Sequence, residues 1–283
     1  MTRRTLAGEV IAQGITLHAG APARATLAPA APDTGIVFRR RDVPGSPPIQ
    51  ALWSNVVETR LGTVIAAADG TSVAVVEHLM SALAGAGIDD CLVEVDGPEL
   101  PILDGDALSY LMLIEEAGTR EQEGVRRMLR VCRIVEAVSE SAGCRLLPAE
   151  DFELAFEIAF DSAAIRTQAF EFQFSPEAYR KEIAPARTFG FLREAEVLRA
   201  AGLARGADLT NTLVIDGGEV INASLMRFPD EFVRHKILDA IGDMRLAGFP
   251  LAARFEGRRS SHALNNALLR ALFSDPANFQ IVA

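Results

Sequence analysis

His235, Asp239 and Asp243 follow one another at intervals of four. In a helix such positions stack one turn apart on one face, so an imidazole nitrogen and a carboxylate oxygen can aim at one point. That is how a helix offers two ligands to a zinc ion. The same spacing also suits a buried histidine neutralised by a salt bridge to the next turn, and HxxxD alone does not separate the two. The chain has only four histidines, His18, His78, His235 and His262. His78 directly follows Glu77; adjacent helical residues diverge by about 100°, so the pair would not share one ion easily. Glu77 could instead reach a water beside it. His78, His235 and Asp239 with a fourth position open have the ligand count of catalytic rather than structural zinc. Zinc there would polarise a carbonyl and make water more acidic, with Glu77 as general base.

These residues need helices to position them. The stretch from Asp230 to Gly248 reads as one amphipathic helix, with Phe232, Ile237, Leu238, Ile241, Met244 and Leu246 on its apolar face. Asp230 is its expected N-cap, and Gly248 with Pro250 its stop. A second helix is expected to begin near Thr71–Ser72 and run through SVAVVEHLMSALAGAGI, placing Glu77 and His78 near its middle. A third, DALSYLMLIEEAG, stops at Gly118, and a last one starts at a Ser cap with His262 in its first turn. CLVEVDG, DFELAFEIAFDS, QAFEFQFS and LAARFEG read as strands, and Asp69-Gly70 as a hairpin turn. The charged TREQEGVR reads as a boundary between an N-terminal domain, residues 1–124, carrying Glu77 and His78, and a C-terminal domain, 125–283, carrying His235, Asp239 and His262. The halves share an outline of strands, a His-bearing helix, a strand and a helix. The expected fold class is therefore α+β: two similar β-β-α-α-β type domains packed together, each with a small insert. The tail FSDPANFQIVA reads as a degradation signal or a frayed end.

Composition sets outer bounds. The chain has 283 residues, 49% hydrophobic and 23% charged, enough for a large core. A net charge of −10 argues against nucleic acid as partner, which calls for a broad basic surface. The three cysteines, odd in number and without CxxC, read as reduced thiols, and no apolar run is long enough to span a membrane. With Glu9 and Gln13 interrupting any signal-like core, a cytoplasmic protein without membrane insertion is expected.

The stretches VEHLMSALAGAGIDD (76–90), PELPILDGD (98–106), IAPARTFGF (183–191), DEFVRHKILDAIGD (230–243) and HALNN (262–266), with GITLHAG (14–20), resemble the UDP-3-O-acyl-N-acetylglucosamine deacetylase family. Its members are zinc enzymes that commit a sugar nucleotide to lipid A synthesis. The resemblance implies zinc on His78, His235 and Asp239, iron(II) also suiting a His2Asp set, with Glu77 as base. It implies His262 as the cation that steadies the oxyanion and protonates the leaving amine, Asp243 as the group that orients His262 and keeps it charged, and Thr188 as an oxyanion donor. Lys236 would contact the substrate's polar or phosphate groups. Phe189, Phe191 and Leu17 would line the passage for the 3-O-acyl chain, Phe160 would stack on uracil, and Arg259 would meet the diphosphate. The partner implied is an acylated UDP-sugar, and the family implies a monomer.

Each residue has a plainer reading: Phe189 and Phe191 as core, Lys236 as an exposed helix residue, Thr188 as a turn cap, Asp243 as a solvated carboxylate near Arg245. The chain departs from the family within GLARGADLTNTLVID (202–216), at Ser261 before the catalytic-type histidine, and in lacking a Lys at 139–147. Two rival functions use parts of the pattern. HxxxD acyltransferases carry the motif in a loop, usually before Gly, whereas Ala240 follows here. A non-catalytic sugar-nucleotide binder has no use for Glu77, two histidine ligands and Asp243 together.

Overall fold

The computed structural model describes residues 2–283. Its first half runs β1 (Thr2–Leu6), β2 (Val10–Ile15), β3 (Pro22–Pro29), β4 (Ile36–Arg40), β5 (Ile49–Gln50), then the small hairpin sheet β6 (Val56–Glu58), β7 (Val64–Ala66), β8 (Ser72–Ala74), and finally α1 (Glu77–Gly85), β9 (Cys91–Val95) and α2 (Leu108–Ala117). After β10 (Thr119–Val125) and β11 (Met128–Val131) come β12 (Val135–Val138), β13 (Gly143–Pro148), β14 (Phe152–Ala159) and β15 (Thr167–Gln173). An insert follows with the short α3 (Pro176–Ala178), β16 (Phe189–Phe191), α4 (Leu192–Ala200), β17 (Leu213–Asp216) and β18 (Glu219–Val220). The chain then ends α5 (Glu231–Arg245), β19 (Leu251–Arg258), α6 (His262–Phe273) and β20 (Phe279–Val282).

The two halves repeat one topology. In the order β2-β3-β9-β4-β5 the pairings are antiparallel, antiparallel, parallel and antiparallel. The order β12-β13-β19-β14-β15 repeats them. Each half is therefore four strands, an insert, a helix, a strand and a helix, and the class is α+β. Alternation produces the strands: in β14, Leu154, Phe156 and Ile158 are buried and their neighbours less so.

α1 packs on α5, joining the halves through the two helices that follow the inserts. α5 buries Phe232, Val233, Ile237, Leu238, Ile241 and Met244. Its contact with α1 depends on Gly242: a Cβ there would lie 2.0 Å from the Glu77 carbonyl oxygen. α5 itself ends at Arg245, and a turn through Leu246 and Ala247 leads to Gly248, left-handed at φ +85°.

Three local expectations need correction, and one strand carried no signal in the sequence. Ser72–Ala74 is strand β8, and α1 begins only at Glu77, because the β-branched run Val73, Val75, Val76 serves the hairpin and Val75 turns left-handed at φ +60°. Glu77 and His78 are thus in the first turn of their helix, not its middle. The polar segment at 119–125 is strand β10, paired with β1. It lies almost wholly exposed in a two-stranded ribbon, so no buried face imprints an alternation on it. The tail is not frayed, since β20 pairs antiparallel with β11. Asp230 stands at the N-cap position of α5, but its carboxylate takes no cap hydrogen bond; it accepts from Arg234 Nε at 2.7 Å.

Candidate metal centre and active site

α5 brings His235, Asp239 and Asp243 to one buried face, and α1 delivers Glu77 and His78 against it. The ligand atoms of His78, His235 and Asp239 lie within 4.8 Å of one another. Asp239 Oδ1 is 3.4 Å from His235 Nε2 and 3.7 Å from His78 Nε2, and it is a buried atom with no hydrogen-bond partner. His235 Nδ1 is 3.1 Å from the Ala186 carbonyl oxygen. A carbonyl only accepts, so Nδ1 carries the proton and Nε2 turns a lone pair toward Asp239. Ala186 is itself held in place, because Glu231 Oε1 accepts from both the amide and Nε of Arg187.

The salt-bridge reading of this cluster needs a charged imidazole. Burial pushes His78 down to about 3, aided by His235 and opposed by Asp239. It also lowers His235, although Asp239 pulls the other way. Burial would raise the Asp239 carboxyl, but its cationic neighbours, Lys236 and His262 among them, hold it well below the usual carboxylate range. Two neutral imidazoles and an ionised carboxylate with an orphaned oxygen make a donor set that fits a divalent cation.

Two further groups flank the cluster. Burial pushes Glu77 up to about 7, with His262 opposing and Asp239 and Asp243 adding. Its Oε2 accepts from the Thr63 amide at 2.9 Å, and its Oε1 lies 4.0 Å from His262 Nε2. His262, the first residue of α6, follows Ser261, whose hydroxyl accepts from the Leu264 amide. Burial would lower this imidazole, but Asp243 overrides it and lifts His262 to about 9, helped by Asp239 and Glu77. Asp243 Oδ2 accepts from His262 Nδ1 and Asn265 Nδ2, each at 2.8 Å, and Oδ1 accepts from Thr63 Oγ1 at 2.6 Å. Asp243 is thus fully buried and satisfied, not the solvated carboxylate of the plainer reading.

A cavity of 510 Å³ opens from this centre, and on it lie Thr188, singled out as oxyanion donor, and every residue singled out for substrate: Lys236, Phe189, Phe191, Leu17, Phe160 and Arg259. The Thr188 backbone is locked by Gly105 and Leu213. Phe160 meets Phe189 at 5.7 Å and Phe191 at 5.9 Å between ring centres, an aromatic wall on the same cavity as His78, His235 and Asp239. Phe160 and Arg259 also border a smaller cavity of 240 Å³ with Lys236 and Ser260. Lys236 Nζ donates to Asp239 Oδ2 at 2.6 Å, so it pairs with a cluster residue as well as facing the cavity. Leu61, Val75, Ala204 and Arg259 are left-handed, with φ between 52° and 61°, and all four line the larger cavity. Such strain persists where surrounding structure over-determines it, characteristically at working sites.

Sequence reasoning missed Thr63, Asn265 and the Ala186 carbonyl. Asn265 falls within HALNN and was within reach. Thr63 sits in a hairpin without periodicity, and a backbone carbonyl leaves no sequence signal.

The sequence profile of the UDP-3-O-acyl N-acetylglycosamine deacetylase family matches residues 3–274. The chain is 48% identical over 282 residues to the Phenylobacterium zucineum protein named UDP-3-O-acyl-N-acetylglucosamine deacetylase, covering 99% of this chain and 96% of that one. Proteins of the same name from Myxococcus xanthus and Neisseria meningitidis are 46% and 42% identical, over 99% and 100% of this chain and 89% and 93% of theirs.

Proposed function

The chain belongs to the UDP-3-O-acyl N-acetylglycosamine deacetylase family, and from that premise we propose that it hydrolyses the 2-acetamido group of UDP-3-O-(3-hydroxyacyl)-N-acetylglucosamine, releasing acetate and the free amine, the committed step of lipid A synthesis. The observation that carries this reading is the orphaned Asp239 Oδ1 between two imidazole nitrogens, flanked by Glu77 and His262. His78, His235 and Asp239 would hold a divalent cation, zinc in our reading, with iron(II) suited to the same set. When bound, it supplies Lewis acidity toward the acetamide carbonyl and makes water a stronger acid.

The chain's own groups divide the proton traffic. Glu77, as carboxylate, takes a proton from the attacking water, whose oxygen bonds to the acetyl carbon. The His262 imidazolium, kept charged by Asp243, faces the charge developing on the former carbonyl oxygen. Thr188 adds its hydroxyl as donor to the same oxygen. The C–N bond then breaks, the nitrogen takes a proton from His262, and acetate leaves. Phe189, Phe191 and Leu17 hold the acyl chain, Lys236 and Arg259 meet the charged part of the nucleotide, and Phe160 stacks on uracil. The HxxxD acyltransferase reading lacks support, because the motif lies within α5 and a second histidine faces it.

The finer setting is also part of the proposal. Residues 1–124 and 125–283 are the two domains, and the protein works as a monomer in the cytoplasm. Free Cys91, Cys132 and Cys144 accord with a reducing compartment, and no helix among the described residues is long and apolar enough to cross a membrane. The test is acetate release from the acylated UDP-sugar after chelation and again after adding one equivalent of zinc. Restored release supports the reading; none across several acyl lengths, with zinc bound, would contradict it.

A further inference from the structure

A second cavity of 510 Å³ lies away from the metal cluster, where both halves meet. At about 100° per residue, its α5 residues Ile241, Met244 and Arg245 fall on the far side of that helix from His235, Asp239 and Asp243. Ala84 and Gly87 bring the C-terminal end of α1 to the same wall, while Glu77 and His78 stand at the other end of that helix. Phe152, Phe174 and Phe249 supply an apolar side.

The opposite side is cationic. Arg245 is only 6% exposed, yet no carboxylate among the described residues lies within 4.0 Å of its guanidinium. Its protein hydrogen bond runs from Nη2 to the Ile88 carbonyl at 3.0 Å. Arg126 gives Nε to Asp89 at 2.9 Å, which leaves its terminal nitrogens over Gly87. Arg4 adds a third guanidinium at the rim. The acids on the rim, Glu121 and Asp151, are exposed and pair with none of these arginines. Burial pulls Arg245 down to about 10, Arg126 and Arg3 adding to this and Asp89 and Asp90 opposing. An unpaired guanidinium in an apolar wall is costly, and the usual resolution is an anion that it can bind through two parallel N–H donors.

We propose that this cavity binds a small amphiphilic anion, with a carboxylate or phosphate head paired to Arg245 and Arg126 and an apolar body against Phe152, Phe174 and Phe249. Its volume is in the range of about 300–1,000 Å³ usual for small organic ligands. The inference goes beyond the deacetylase reading and stands whether or not that reading holds. Because α1 and α5 wall both cavities, the ligand would touch the same two helices that carry His78, His235 and Asp239.

The test is isothermal titration of the metal-loaded protein with octanoate, octyl phosphate and octan-1-ol. It is repeated on Arg245→Met and on Met128→Trp, which fills the cavity from another wall, both first checked for cooperative thermal unfolding. Binding of at least one anion is expected, about tenfold or more tighter than octanol and weakened about tenfold or more in each variant. The tighter anion identifies the head group. Should Arg245→Met not fold, Met128→Trp and the octanol comparison decide. Anion binding that is unchanged in the folded variants would place the ligand in the catalytic cavity and overturn the proposal, as would the absence of binding by either anion at millimolar concentration.

Discussion

Thr63 Oγ1 donates to Asp243 Oδ1 at 2.6 Å, while the amide of the same residue donates to Glu77 Oε2 at 2.9 Å. One residue of the first insert thus steadies both Glu77 and the carboxylate behind His262. Thr63→Val keeps the shape and removes the hydroxyl. The loss of a buried hydrogen bond to a charged acceptor is about 1.5–3 kcal/mol, or roughly tenfold to a hundredfold in kcat. KM should hardly change, and Thr63→Ser should retain most activity. Steady-state kinetics of the two variants check this; equal kcat in Thr63→Val and the parent would remove Thr63 from the account.

The pH profile follows from Glu77 and His262. Glu77, pushed up to about 7, must lose its proton to act as base, so activity rises with pH through that value. A bound cation favours the carboxylate and moves this limb lower. His262, lifted to about 9, must keep its proton, so activity falls as pH passes that value. Asp243→Asn removes the anion that supports the imidazolium. The descending limb should then move down by more than about one pH unit, toward an ordinary imidazole near 6.5. An unmoved limb in kcat/KM profiles would mean that another group sets it.

Gly242→Ala tests the α1–α5 contact. Its Cβ would stand 2.0 Å from the Glu77 carbonyl oxygen, so the helices must part. Overpacking of this kind costs about 1–3 kcal/mol. A lower urea midpoint is expected together with fewer metal equivalents per chain, because His78 moves with α1. A stable variant with full metal content would show that the contact yields without disturbing the cluster.

Phe191→Ala opens the aromatic wall formed with Phe160 and Phe189. Losing buried apolar area worth about 1.5–3 kcal/mol should raise KM roughly tenfold or more for a long acyl chain, and less for a short one. Equal effects on both chain lengths would take Phe191 out of the acyl passage.

The site was more legible than the frame that carries it. The four-residue spacing of His235, Asp239 and Asp243 survives folding because it is a property of one helix, and α5 formed where its apolar face foretold. The start of α1 was misread because a run of apolar β-branched residues suits a buried strand as well as a helix. β10 escaped because an exposed ribbon has no buried face to imprint a pattern. Thr63 was invisible, since its role arises from contacts 180 and 199 residues away, with Asp243 and His262. The cavity around Arg245 was equally hidden: only the fold reveals that this arginine lacks a carboxylate, and the sequence places Asp243 two positions away on the other side of the helix.

Everything proposed for this site turns on Glu77 acting as base beside a cation held by His78, His235 and Asp239. The most direct measurement is turnover of UDP-3-O-(3-hydroxyacyl)-N-acetylglucosamine by the zinc-loaded protein and by Glu77→Ala, with metal content determined on the same samples. One zinc per chain is expected in both, with a fall in kcat of at least about a hundredfold in the variant. Undiminished turnover in Glu77→Ala with zinc bound, or full activity in the parent protein without any metal, would contradict it.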